Sequence, residues 1–281
     1  MANFLLFVNL HINFIYYIEA MINKIVISLI ILTVSSWSNL ANANNEEIMK
    51  INDPANIKDC HEKLNRFTFA INKKLDDIVF EPVAKTYRVL PNPIRKGVSN
   101  SLSNLSNLVT IPNNVLQGEF KKAGSNSSRF VVNTTLGILG FIDVAEKIGL
   151  EKYDKEDYGQ TLAVHGTGPG CYLVLPVLGP STVRDTASSL INVIGGDAWY
   201  NITVKNNTSH FEDSDYIASR LATGIDFRAK NIESFDNLEK NAIDFYASVK
   251  SLYLQDRQQK ILNSNSIIEA MDDSDWYEIE N

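Results

Sequence analysis

The chain has 281 residues, 44% of them apolar and 21% charged, which is the balance of a globular protein and excludes a disordered one. Its length allows one large domain or two small ones. Six acids (Glu269, Asp272, Asp273, Asp275, Glu278, Glu280) crowd the C-terminus without a base, so the formal charge of −7 leaves a body near −1, and the lack of a basic stripe excludes nucleic acid as a partner.

Residues 1–43 read as a targeting region. From Met21 the sequence has Lys24, an apolar run from Ile25 to Val34, and Ala41-Asn42-Ala43 at the end, which is the pattern of a cleaved signal peptide over 21–43. The ten-residue apolar run is short for a membrane span. The mature chain is then expected to begin near Asn44, outside the cytoplasm. Residues 44–59 form a polar, extended lead-in with a turn at Asp53-Pro54. Cys60 and Cys171 leave two readings open, a disulfide or two separate buried thiols. Cys60 lies far beyond the apolar run and follows Ile-Lys-Asp, so no lipobox cysteine is expected.

Helical spacing runs from Asp59 to Phe80, where Leu64, Phe67, Ile71, Leu75, Ile78 and Val79 recur at three and four. Pro91 and Pro93 close that segment. Amphipathic stretches follow at Ile94–Leu108 and Pro112–Gly118. Between Arg129 and Asp143 lie only apolar residues, three small polar ones, and Gly137 and Gly140. Residues 153–185 are rich in glycine and contain Pro169, Pro176 and Pro180, which predicts an ordered, irregular belt; Pro176 argues against a strand at Leu173–Leu178. After a turn at Gly195-Gly196 and a polar loop over 205–214, helical spacing returns at Tyr216–Phe235 and Leu238–Ile261, and an acidic, disordered tail occupies 263–281. No repeat at a fixed period is present.

Catalytic patterns are scarce. His61, His165 and His210 show no metal-ligand spacing, no G-x-S-x-G elbow exists, and "HGTGPG" at 165–170 lacks the Gly-Lys-Ser/Thr ending of a phosphate loop. No metal or cofactor is expected. Arg129 and Asp143, and Arg184-Asp185 after the glycine-rich stretch, read as ion pairs or caps that hold irregular backbone, or as a polar lining inside an apolar assembly. The apolar stretches 129–150, 172–179 and 187–194 fit either core packing or a membrane interface.

"RFVVNTTLGILGFIDVA" and "YGQTLAVHGTGPGCYLVLPVLGPSTVRD" closely resemble the MlaA (VacJ) family of outer-membrane phospholipid-transport proteins. The likeness extends through "LNRFTFAINKKLDD", "PVAKTYRVLPNPIRKGVSN" and "DFYASVKSLYLQDR", covering about residues 60–258. Ala163, Cys171 and Leu108 depart from the family's usual glycine, proline and proline. The resemblance implies an all-α, ring-like bundle of amphipathic helices, a single domain over 60–262, with a glycine-rich belt and a hairpin loop at a central channel. It implies residence in the inner leaflet of the outer membrane, on its periplasmic face. The partners it implies are phospholipids, a trimeric porin of the outer membrane and a periplasmic lipid carrier of the Mla type. Lipids leave the outer leaflet through the channel without chemical change.

On that resemblance the hairpin is Gly137, Ile138, Leu139, Gly140, Phe141, Ile142, Asp143 and Val144, and it is the moving element. Arg129, Asn133, Arg184 and Asp185 are expected to fix its base, with Tyr246 and Arg257 on the closing helix. The competing functional classes are a periplasmic lipid hydrolase and a surface-exposed antigen or adhesion protein.

Overall fold

The computed structural model describes residues 45–191, 200–201, 204 and 212–262. The targeting region, the Gly195-Gly196 turn, most of the polar loop over 205–214 and the acidic tail lie outside the described residues. The elements in chain order are α1 (Asn45–Ile51), α2 (Glu62–Leu75), α3 (Glu81–Arg88), α4 (Asn92–Leu116), α5 (Phe120–Thr135) and α6 (Val144–Lys147). They continue with α7 (Tyr158–Val164), β1 (Tyr172–Leu175), β2 (Gly179–Thr182), α8 (Val183–Ile191), α9 (Asp213–Lys230), α10 (Ile232–Asn241) and α11 (Phe245–Ile261). The fold is all-α with one small hairpin, and no helix among the described residues is long and apolar enough to cross a membrane.

Several expectations are corrected. The lead-in is not wholly extended: it holds α1, and Asp53 caps a single 3-10 turn at Pro54–Asn56. α2 and α3 are joined by a π-helical turn, Asp76–Phe80, so helical backbone continues past Phe80, where the sequence spacing ended it, to Arg88. α4 runs unbroken through Pro112, because packing along α5 outweighs the roughly 3 kcal/mol that an interior proline costs. The last helical region breaks at 242–244, where the Asp244 carboxylate caps α11 by accepting from Ala247 N–H at 3.2 Å.

The belt is also less irregular than expected. Leu175 pairs with Gly179 and Tyr172 with Thr182 in an antiparallel hairpin. Pro176 sits in the connecting turn, not inside a strand, so it removes no ladder hydrogen bond. Asn65 of α2 holds this hairpin from the side, donating to Tyr172 O at 3.0 Å and accepting from Val174 N–H at 2.9 Å. Cys60 and Cys171 are disulfide-bonded with Cα atoms 5.6 Å apart, closing a loop between the residues before α2 and β1. Behind the hairpin, Tyr172, Val174, Tyr246 and Leu254 form an apolar cluster with Phe69 and Tyr253.

The α2, α4 and α5 faces are inverted relative to a soluble bundle. The repeat that predicted α2 is correct in period, yet Leu64, Phe67 and Ile71 are 62%, 65% and 50% exposed while Asn65 and Thr68 point inward. On α4 the buried face is Gly97, Asn104, Asn107, Thr110, Asn113 and Asn114; on α5 it is Ala123, Asn126, Arg129 and Asn133. Phe120 and Val131 face outward. A helix in water turns its apolar stripe to the core; here, apart from Gly97 and Ala123, the inward stripe is polar and bonds to itself, as Asn126 does to Asn114 Oδ1 at 2.9 Å.

Candidate functional site

α5 ends at Thr135 and the chain turns back over residues 136–143 before α6. Ile138, Leu139 and Gly140 all have positive φ, at 54°, 55° and 90°. Three left-handed residues in a row make the reversal tight, and only glycine adopts that conformation without steric cost. Gly137 is required for a different reason: a Cβ there would lie 2.2 Å from Ile142 O and 2.6 Å from Asn133 O. The two glycines face inward, while Leu136, Ile138 and Leu139 are 68–70% exposed. Backbone bonds from Gly140 N to Asn133 O (2.7 Å) and from Ile142 N to Gly137 O (2.9 Å) close the turn.

The turn rests on α4. The Phe141 ring lies where a side chain at Gly97 would be, and Gly140 packs on Asn104, whose Nδ2 donates to Thr134 Oγ1 at 2.8 Å. At its base, Asp143 accepts from Arg129 Nη2 at 2.6 Å and from Asn133 Nδ2 at 2.9 Å, and caps α6 through Glu146 N–H at 3.1 Å. Arg129 also donates to Leu150 O at 2.6 Å, and Asn133 Oδ1 accepts from Ala145 N–H at 2.8 Å. Burial works against the Asp143 carboxylate, but the donors from Asn133 and Glu146 and the Arg129 charge hold its pKa below the usual range. Arg129, Asn133 and Asp143 are therefore one clamp.

The other expected residues are placed elsewhere. Arg184, Asp185 and Arg257 form a second cluster between α8 and α11. Arg257 donates to Asp157 at 2.6 and 2.8 Å and to Asp185 at 3.0 and 3.1 Å, and Tyr253 donates to Asp185 Oδ2 at 2.7 Å. Arg184 bridges Asp185 and Asn52, tying the lead-in to α8. Against the cost of burial, Arg257 brings Asp157 down to about 2. Tyr246 is apart from both clusters: it donates to Asp59 and lies under Arg66, whose guanidinium carbon is 4.3 Å from the ring centre. The hydrogen bonds of Arg184, Asp185, Tyr246 and Arg257 do not reach the 137–144 turn, so they do not fix its base by direct contact.

Two charged neighbours escaped the sequence reading. Lys155 is half-buried beneath the turn and donates to Ser103 O at 2.8 Å and Asn107 Oδ1 at 2.5 Å. Glu156 is 4% exposed and accepts from Gln117 Nε2 at 3.0 Å. Burial pushes Glu156 up to about 7; burial and the charges of Lys152 and Arg129 bring Lys155 down to about 8. A signal for the partner of Lys155 was present in Asn107, one of the asparagines of α4 at helical spacing. Asp76, Asp77 and Glu81 bring carboxylate oxygens within 4.8 Å of one another, but Lys73, Lys85 and Arg228 are bonded to them, so protein cations already meet that charge.

A family model described as MlaA lipoprotein matches residues 57–260. An uncharacterized protein of Rickettsia bellii is 34% identical over 245 residues, 84% of this chain and 92% of its own length. The Escherichia coli intermembrane phospholipid transport system lipoprotein MlaA is 31% identical over 210 residues, 73% of this chain and 79% of its own. A solved structure reported as the structural basis for maintenance of bacterial outer membrane lipid asymmetry is similar with a TM-score of 0.61 and 31% identity. It covers 73% of this chain and 99% of that one.

Proposed function

The chain belongs to the MlaA family, and on that premise we propose that it carries phospholipids out of the outer leaflet of the outer membrane, without chemical change, and passes them to a periplasmic carrier. The observation that carries this reading is the inverted polarity of α2, α4 and α5. Exposed Leu64, Phe67, Ile71, Phe120 and Val131 suit a lipid surround, while the asparagine-lined interior suits a charged headgroup in transit. The acyl chains then stay beside apolar surface while the headgroup remains hydrogen-bonded. Residence at the periplasmic face of the outer membrane fits the Cys60–Cys171 disulfide, since disulfides persist in oxidising compartments.

In this reading the moving part of the segment Gly137 to Val144 is residues 137–142, and its apolar exposed tip lies among acyl chains. Arg129, Asn133 and Asp143 anchor the segment so that motion is confined to residues 137–142. Arg184, Asp185 and Arg257 keep α11 closed on α7 and α8, and Tyr246 keeps α11 on the hairpin of β1 and β2. A trimeric porin is the surround that the reading calls for within the outer membrane.

Deletion of the gene followed by assay of outer-leaflet phospholipid tests the proposal. Phospholipid is expected to accumulate in the outer leaflet, with increased sensitivity to detergent. Unchanged asymmetry in the deletion strain would overturn it, as would release of fatty acid from phospholipid by the purified protein.

A further inference from the structure

A recess of about 220 Å³ opens between α2, the π turn, the tip of the β hairpin and α9 to α11. Phe69 and Leu75 of α2, Phe80 of the π turn, Phe235 of α10, and Phe245 and Val249 of α11 give it apolar walls. None of residues 137–144 lines it, so it stands apart from that turn. Arg228 of α9 also lines it, is 8% exposed, and has its guanidinium carbon 5.2 Å from the centre of the Phe235 ring. Its Nε and Nη2 reach Asp76, and Nη2 also reaches Glu81 at 3.3 Å. Its Nη1 is buried without a hydrogen-bond partner among the described residues. A buried guanidinium N–H left unmet is costly, and an acceptor in the recess would meet it.

The charges around the recess decide what that acceptor belongs to. Lys73 is bonded to Asp77 and Glu239, Lys85 to Glu81, and Arg228 to Asp76 and Glu81. Three cations thus face four carboxylates, so a phosphate or a carboxylate entering there meets surplus negative charge. A cationic group is refused in turn by the free N–H, which can only donate. What remains is a neutral acceptor on an apolar body, an ester carbonyl or a hydroxyl. An apolar cavity of about 150 Å³ takes benzene, so about 220 Å³ holds a single chain of roughly eight or nine carbons. We propose that this recess binds a neutral single-chain lipid of the monoacylglycerol class, its chain among the phenylalanines and its ester carbonyl accepting from Arg228 Nη1. This ligand differs in class from the phospholipid of the transport reading, and its site does not depend on that reading.

The full exported chain, held in a detergent whose branched double tails are too bulky for the recess, is titrated with three probes. Monooctanoylglycerol and octanoyl lysophosphatidylglycerol are read by native mass spectrometry; fluorooctane, the chain without a good acceptor, is read by fluorine NMR. One monooctanoylglycerol is expected to bind per chain and to displace fluorooctane, and the lysophospholipid to bind about tenfold more weakly. Arg228→Lys keeps a cation for Asp76 and Glu81 but lacks Nη1, so monooctanoylglycerol is expected to weaken about tenfold, the loss of one hydrogen bond to a charged group, while fluorooctane is unaffected. Val249→Phe fills the recess and is expected to abolish binding of all three without lowering the unfolding midpoint. If the parent takes up no stoichiometric monooctanoylglycerol, a water meets Nη1 and the site is overturned. Equal binding of the lysophospholipid, or parent-like binding by Val249→Phe, overturns it too, as does an Arg228→Lys variant that loses fluorooctane as much as monooctanoylglycerol. Should Val249→Phe unfold, the displacement of fluorooctane and the Arg228→Lys contrast decide alone. None of these results touches the transport reading, which is decided on the deletion strain.

Discussion

A carboxyl at 4% exposure whose side chain accepts from only a neutral amide titrates late, and Glu156 shows it. Its folded pKa, about 7, stands above its ordinary 4.5. Between those values the folded state holds the extra proton, so stability falls as pH rises from 4.5 through 7 and the deficit is complete above 7. Its ceiling is about 3 kcal/mol. Glu156→Gln removes the titration and keeps an acceptor for Gln117. Thermal unfolding in detergent is expected to show the variant more stable than the parent at pH 8, with the difference shrinking toward pH 5. A difference equal at both pH values would defeat the assignment. Ile138 makes a second case at this scale. A β-branched residue at φ 54° carries about 1 kcal/mol or more of backbone strain. Ile138→Asn, which tolerates that conformation, is expected to raise stability by about 1 kcal/mol; a lowered unfolding midpoint would show that the exposed side chain matters more than the strain.

Among the elements, the contact between the turn and α4 holds residues 137–142 down. Phe141 fills the gap left by Gly97, and nothing in the Arg129–Asp143 clamp depends on it. Phe141→Ala is therefore expected to free residues 137–142 while the base stays fixed. Limited proteolysis is expected to cut this segment faster than in the parent, with the unfolding midpoint nearly unchanged and outer-leaflet phospholipid altered in cells. Parent-like cleavage and parent-like lipid asymmetry would show that Phe141 is not the latch. The clamp itself was legible in the sequence, because Arg129 and Asp143 bracket an uncharged stretch and leave each other as partners. The helices were legible from Leu64, Phe67 and Ile71 at three and four, but not the direction of that face, since periodicity reports two unlike faces and is silent about the surrounding medium. Lys155 and Glu156 were not legible: they lie between α6 and α7 outside any regular element, where a single buried charge leaves no periodic signature. Pro176 misled because two four-residue strands share a turn that a proline suits, and a local composition count cannot separate turn from strand. Cys60 and Cys171 are 111 residues apart, and only the folded path brings them together.

For the whole molecule, the polarity of the helices sets where it can reside. In water Leu64, Phe67 and Ile71 of α2, Ile78 and Val79 of the π turn and Val83 of α3 are all exposed, and a monomer in solution rarely leaves so much apolar surface along one helical run uncovered. An acyl-chain surround covers it while the asparagine face of α4 keeps its hydrogen bonds inside. Each exposed Leu or Phe contributes roughly 1.5–3 kcal/mol when fully buried in lipid. Replacing Leu64 and Phe67 together by Asp therefore removes about 3 kcal/mol, which lowers partitioning into phospholipid vesicles by roughly two orders of magnitude. Both side chains are more than half exposed, so the unfolding midpoint of the same double variant in detergent is expected to stay within a few degrees of the parent. Vesicle flotation checks the first expectation and thermal unfolding the second. If flotation were unchanged while the midpoint fell sharply, the stripe would be a packing face between protein segments, and the inverted polarity of α2 would need a protein partner in place of a lipid one.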